Sequence, residues 1–191
     1  MFTSRLAANG RPFGHPERAH SLVVSGLGVV KHDDDRRGYL FRILDDGDKA
    51  IVRTIERPDW AALESDGVTA VVKETSFDGI EDGEVLEFNL MANPTEKDPS
   101  GKEHPVRTTS GQVEWIEKIA KERGFLVQEV DVKKLEPVEI PKDTGPRTLQ
   151  PVLFRGVLSV KDANSFRKCL LKGIGRSKCY GYGMLIVTRP I

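Results

Sequence analysis

The sequence predicts an α+β protein made of two tandem β-α-β-β-α-β units, residues 1–80 and 81–191. Three observations carry this. Short stretches of strand character flank amphipathic helical stretches in the same order in each half. Glycine and proline punctuate the ends of these stretches. A length of 191 residues, 38% hydrophobic and 30% charged, suits two small globular domains.

In the first half, Phe2 to Leu6 reads as a strand, followed by a loop through Gly10, Pro12 and Gly14. His15-Pro16 opens a helix, because proline is tolerated in a first turn. Ala19, Leu22, Val23 and Gly26 recur at helical spacing as its buried stripe, and Gly28 ends it. Tyr39–Leu44 and Ala50–Ile55 flank the turn residues Asp45-Asp46-Gly47-Asp48 and read as a hairpin. Arg57 to Leu63 supplies a short helix and Val68 to Lys73 a strand. This order is the ferredoxin-like arrangement.

The second half repeats it. Glu84 to Leu90 alternates like a strand, and residues 93–107 are polar and proline-bearing, which predicts a long loop. Thr109 and Gln112 have capping-box spacing, and Val113, Ile116, Ile119 and Ala120 form a helical stripe that Gly124 stops. Phe125–Val132 and Thr148–Val160 read as strands around a loop at 137–146. Asp162 caps a helix with Phe166, Cys169 and Leu170 inward and Arg167, Lys168 and Lys172 outward. Gly173 ends that helix, and Met184–Thr188 is the last strand.

No run approaches the roughly 18 apolar residues of a membrane helix, and no secretory pattern opens the chain, so a cytoplasmic protein is expected. Cys169 and Cys179 are too few for a zinc set or a disulfide framework. The formal net charge is zero, yet residues 1–90 hold 11 basic against 17 acidic side chains, and residues 144–191 hold nine basic against one acid, Asp162. Such asymmetry points to a polyanionic partner for the second half, although a solvated basic face accounts for the count equally well.

Gly173, Gly175, Gly181 and Gly183 enclose Arg176 and Lys178 as the only charges of the stretch. It follows a helix and enters a strand, so it is neither a dinucleotide fingerprint nor a phosphate loop at a helix N-terminus. Either its cations and backbone amides grip an anion, or it is a helix stop followed by a bend. Tyr180 and Tyr182 could stack on bases; alternation in a last strand, one ring buried and one exposed, explains them equally. Arg37-Gly38-Tyr39-Leu40-Phe41 echoes an RNA-binding strand signature, but on the wrong strand of the repeat, as a chance match would. His20 lies roughly 100° round its helix from Ala19, on the shoulder of the buried stripe, where a histidine can face a groove. A lone helical histidine is more often structural, and no serine or cysteine nucleophile motif accompanies it.

The chain resembles the CRISPR repeat-processing endoribonucleases of type I-E systems, the CasE (or Cse) family. The resemblance is carried by Phe2-Thr3-Ser4-Arg5-Leu6, by His20 in the first helix, and by Phe88-Asn89-Leu90-Met91-Ala92-Asn93-Pro94. It is carried further by Leu149 to Leu158, and by the glycine stretch through Leu185. It implies tandem ferredoxin-like domains and hairpin-specific cleavage of CRISPR repeat RNA without metal or cofactor. The ribose 2′-OH attacks the adjacent phosphate, leaving a 2′,3′-cyclic phosphate and a 5′-OH. Because RNA supplies its own nucleophile, only proton transfer remains for the protein, a task suited to an imidazole.

The resemblance implies that His20 is the catalytic group, acting as acid or base. It also implies that a basic groove of the second domain holds the RNA stem, with Lys142, Arg147, Lys168, Arg176 and Lys178 as phosphate contacts. Other subunits of the type I-E surveillance complex are the implied protein partners, with no membrane and no small-molecule ligand. Two departures stand out. Glu17 occupies the place of an assisting tyrosine, and Asn89 and Met91 stand where relatives carry arginines. The rival readings are a non-catalytic RNA-binding member of the family and a ferredoxin-like small-molecule regulator.

Overall fold

A computed structural model describes residues 1–28, 38–44, 47–141 and 145–190. The Asp33–Asp35 stretch, residues 45 and 46 of the expected hairpin turn, and Lys142 fall outside them. The chain divides into two compact units. One comprises Met1–Phe77 with Lys178–Gly181, and the other Asp78–Ser177 with Tyr182–Ile191.

In the first unit, β1 (Phe2–Ala7) buries Ser4 and Leu6 on one face and exposes Arg5 on the other. The helix α1 (Pro16–Leu27) follows. Pro16 sits in its first turn, and His15 caps it by accepting the Glu17 N–H on Nδ1 at 3.4 Å. Then come β2 (Tyr39–Leu44), β3 (Lys49–Thr54), a 3-10 turn (Ala61–Asp66) and β4 (Thr69–Glu74). The sheet order β2-β3-β1-β4 is antiparallel and ferredoxin-like.

Where the sequence predicts a helix from Arg57, the structure begins a tighter turn at Ala61. Pro58 disfavours helical geometry in the residue before it, and the Asp59 carboxylate accepts the Ala61 N–H at 3.0 Å, starting the turn there. Ala19, Val23, Phe41, Val52, Trp60 and Leu63 pack together in the core. The buried Trp60 indole donates to the Ser4 hydroxyl at 2.8 Å, so neither polar group is stranded.

The second unit has β5 (Val85–Ala92), β6 (Thr95–Lys97), β7 (Glu103–Pro105) and α2 (Thr109–Glu122). It continues with β8 (Phe125–Lys134), β9 (Val138–Ile140), β10 (Arg147–Leu149), β11 (Val152–Val160), α3 (Ala163–Lys172) and β12 (Leu185–Thr188). Its main sheet runs β12-β5-β11-β8, the same ferredoxin-like order. Trp115 of α2 stacks on Phe154, and Phe166 of α3 meets Phe125 edge-on, so both helices close the core over one face.

Two expectations change here. The cap of α2 is Thr108, whose hydroxyl accepts the Gly111 N–H at 3.1 Å. Gln112 instead turns back to donate to the Val106 carbonyl at 2.8 Å. The first expected loop also contains the hairpin β6–β7, and the second contributes β9, which pairs with β10 at the start of the expected Thr148–Val160 strand. The first is built around Asp98. Its carboxylate accepts the Ser100 and Lys102 N–H groups, the Ser100 hydroxyl, and His104 Nε2 at 2.8 Å.

The Asp98 pKa is held down to about 2, most strongly by the Ser100 hydroxyl and then by His104. The folded value lies below the ordinary carboxylate value of about 3.9. The anchor is therefore fully present above that pH and is lost as pH falls through about 2. Amide exchange at Ser100 and Lys102, followed by NMR, is expected to accelerate across that window before the main sheet opens. Among the described residues, no helix is long and apolar enough to cross a membrane.

Candidate active site

Because α1 turns Ala19 and Val23 fully into the core, His20 is left half-buried on its shoulder. Tyr39, the first residue of β2, is itself buried, and its hydroxyl lies 3.4 Å from His20 Nδ1. A buried phenol needs a polar partner, and the imidazole provides one. With Tyr39 as donor, Nδ1 is the acceptor and the ring proton of neutral His20 resides on Nε2, leaving that nitrogen as the donor.

The glycine stretch supplies a second aromatic group to the same histidine. Lys178–Tyr180 forms a 3-10 turn belonging to the first unit. The Tyr180 ring stands 6.1 Å from the His20 ring, edge-on at 67°. Gly181 makes this possible. Its φ is +87°, and a Cβ there would come within 3.0 Å of the Phe41 ring, so only glycine brings the turn this close. Tyr182, by contrast, belongs to the second unit, where burial pushes its pKa up to about 12. The two tyrosines therefore differ in burial, but neither lies in β12.

In the second unit, Arg147 opens β10 and Arg176 lies in the loop after α3. Both reach Glu103 of β7. Arg176 Nε is 2.5 Å from one carboxylate oxygen, and Arg147 Nη2 is 3.9 Å from the other. The buried Asn93 fixes the Arg176 backbone from below. It forms a β-bridge with Arg176, accepts the Gln150 N–H at 2.8 Å, and donates to the Ser177 hydroxyl at 3.4 Å. Ser177 takes a left-handed φ of +60° in this loop.

Lys168 is exposed on α3, where its charge helps lower the pKa of Asp162 after the hydrogen bonds from Ser165 and Asn164. Lys178 groups with the first unit. Arg147 and Arg176 thus share one carboxylate. Tyr39 and Glu103 escape sequence reasoning because each is recruited by a partner far along the chain. The buried Asn93 has a signal, the Ala-Asn-Pro turn. Among the described residues, no three His, Cys, Asp or Glu side chains gather as a metal site.

Comparison with known proteins places these features in context. A family model described as CRISPR associated protein matches residues 1–189. The CRISPR-associated endoribonuclease Cse3 of Thermus thermophilus is 29% identical, with 72% of each chain covered. The structure of Thermus thermophilus Cse3 bound to an RNA representing a pre-cleavage complex matches 98% of each chain at a TM-score of 0.83 and 25% identity. The CRISPR-associated protein Cas6e from Escherichia coli K-12 matches across both full chains at a TM-score of 0.76 and 21% identity, a likeness of fold.

Proposed function

We infer that this chain, which belongs to the family of CRISPR associated proteins, is an endoribonuclease that cuts CRISPR repeat RNA at its hairpin. The observation that carries this reading is a half-buried histidine set between the Tyr39 hydroxyl and the Tyr180 ring. It stands on a chain that shares its fold with an RNA-bound Cse3.

The reaction needs little from the protein beyond placement and proton transfer. The ribose 2′-oxygen bonds to the neighbouring phosphorus while the bond from phosphorus to the 5′-oxygen breaks. The 2′-OH proton leaves to a base, and the departing 5′-oxygen gains a proton from an acid. The products are a 2′,3′-cyclic phosphate and a 5′-OH. His20 carries one of these transfers. Tyr39 holds the imidazole through Nδ1, and Tyr180 restricts its tilt, so the ring is ordered before RNA arrives.

Arg147 and Arg176 together, with Lys168, Lys178 and Lys142, supply the cationic contacts for the stem, whose A-form backbone is read mainly by shape. The chain acts in the cytoplasm and stays with the cut RNA as a subunit of the type I-E surveillance complex.

The test is a cognate repeat hairpin in EDTA, with and without a single 2′-deoxy sugar upstream of the scissile phosphate. Cleavage of the all-ribose hairpin and none of the deoxy hairpin is expected. Cutting of both would sink the 2′-OH mechanism, and cutting only after magnesium is restored would sink metal independence.

A further inference from the structure

We propose that Glu103 is an internal stand-in for an RNA phosphate, a carboxylate that occupies the Arg147–Arg176 pair and must be displaced for RNA to bind. The proposal rests on the RNA-binding reading above and adds a gate to it. Two arginines from separate elements, β10 and the loop after α3, converge on one carboxylate, one at each oxygen. A phosphodiester presents two anionic oxygens in a comparable fork, and guanidinium groups recognise both anions by the same geometry.

The mechanical setting favours exchange over permanence. Glu103 sits on a short hairpin strand whose turn is locked by Asp98, so its backbone is held in place. The Arg176 backbone is fixed by the Asn93 bridge, while its side chain remains 54% exposed and that of Arg147 is 40% exposed. Ion pairs this open to solvent contribute little to stability. The pair can therefore open at little cost to the fold, and an incoming phosphate takes over both guanidinium groups.

The competitor raises the threshold that every phosphate ligand must pass. A rigid stem that brings a phosphate to this spot can replace the carboxylate, whereas a flexible strand must pay ordering entropy as well as displace Glu103. The Glu103 term is common to both ligands, and the ordering entropy of the flexible strand adds to it, so the hairpin remains the tighter ligand.

The experiment measures binding of the whole protein to the repeat hairpin and to an unrelated single-stranded RNA across a salt series. The variants are Glu103→Gln, Arg147→Ala/Arg176→Ala, and the triple combination, each checked for an unchanged thermal melt. Glu103→Gln is expected to tighten hairpin binding by up to about fivefold, the most that an exposed ion pair yields. It should tighten single-strand binding by a similar factor. The slope of log K against log salt should steepen by roughly 0.7–0.9 for each added phosphate contact.

In the double-alanine background the same change should have no effect, which a merely structural glutamate would not obey. Unchanged or weaker binding by Glu103→Gln, while the double alanine still loses hairpin affinity, overturns the gate and leaves the RNA reading intact. Wild-type protein that fails to bind the hairpin at low salt overturns both.

Discussion

Replacing His20 with alanine is expected to slow hairpin cleavage by about 10²–10⁴-fold, the range for a well-placed acid or base. Hairpin affinity should stay near wild type. The side chain is half-buried on the shoulder of α1, and its removal leaves the Ala19 and Val23 stripe in place. Single-turnover rates with saturating protein separate the two quantities. A hairpin with a 5′-bridging sulfur, a leaving group that needs no proton, then assigns the role. It restores cutting by His20→Ala if the imidazole is the acid and fails to do so if it is the base.

Tyr39→Phe is the companion variant. It keeps the buried ring and deletes the hydroxyl 3.4 Å from Nδ1. The expected loss is about two- to tenfold, the worth of one neutral hydrogen bond. Equal cutting by wild type and His20→Ala would remove the histidine from the mechanism altogether.

Gly156→Ala is expected to destabilise the second unit by about 3 kcal/mol, the severe end for overpacking. Gly156 lies mid-strand in β11, paired with Phe88 of β5 on one side and Val130 of β8 on the other. A Cβ there would stand 1.8 Å from the Glu129 carbonyl oxygen, and 2.7 Å from its carbon. These are backbone atoms of a neighbouring strand, so no rotamer change relieves the overlap. The pairing shifts register between Val157 and Leu158, and the crowding at Glu129 sits beside that irregularity.

Domains carry only about 5–15 kcal/mol in total, so the variant should melt well below wild type in urea with an unchanged slope. A midpoint shift worth less than 1 kcal/mol would show that β8 moves aside freely.

The elements that sequence reasoning recovers are those whose signals are local. Pro16 with His15 marks the start of α1, Gly28 its end, Asp162 caps α3, and the 3.6-residue stripes identify the buried faces. Strands of three residues, such as those of β6–β7, are too short to show alternation. Their determinant is the side chain of Asp98, which resembles any other loop aspartate until its five-residue turn closes.

The site divides along the same line. His20 stands out by type and position, whereas its partners lie 19 residues away in Tyr39 and in Tyr180, far along the chain. The glycine stretch reads as one segment, an anion grip or a helix stop followed by a bend. In the structure Arg176 faces Glu103, while Tyr180 faces His20, because Gly181 lets the backbone come close to the Phe41 ring. Tertiary contacts of this span leave no periodic trace.

That four-residue insertion has a bearing on biogenesis. The first unit is built from Met1–Phe77 but is completed only by Lys178–Gly181, about 100 residues later in synthesis. At ribosomal speeds of about 5–20 residues per second, the wait is roughly 5–20 s. Throughout it the nascent chain can form its first sheet and helix, but not the aromatic wall beside His20. A chain arranged this way stays incomplete on the ribosome, and chains released early lack Tyr180, so incomplete translation products lack the aromatic wall beside His20.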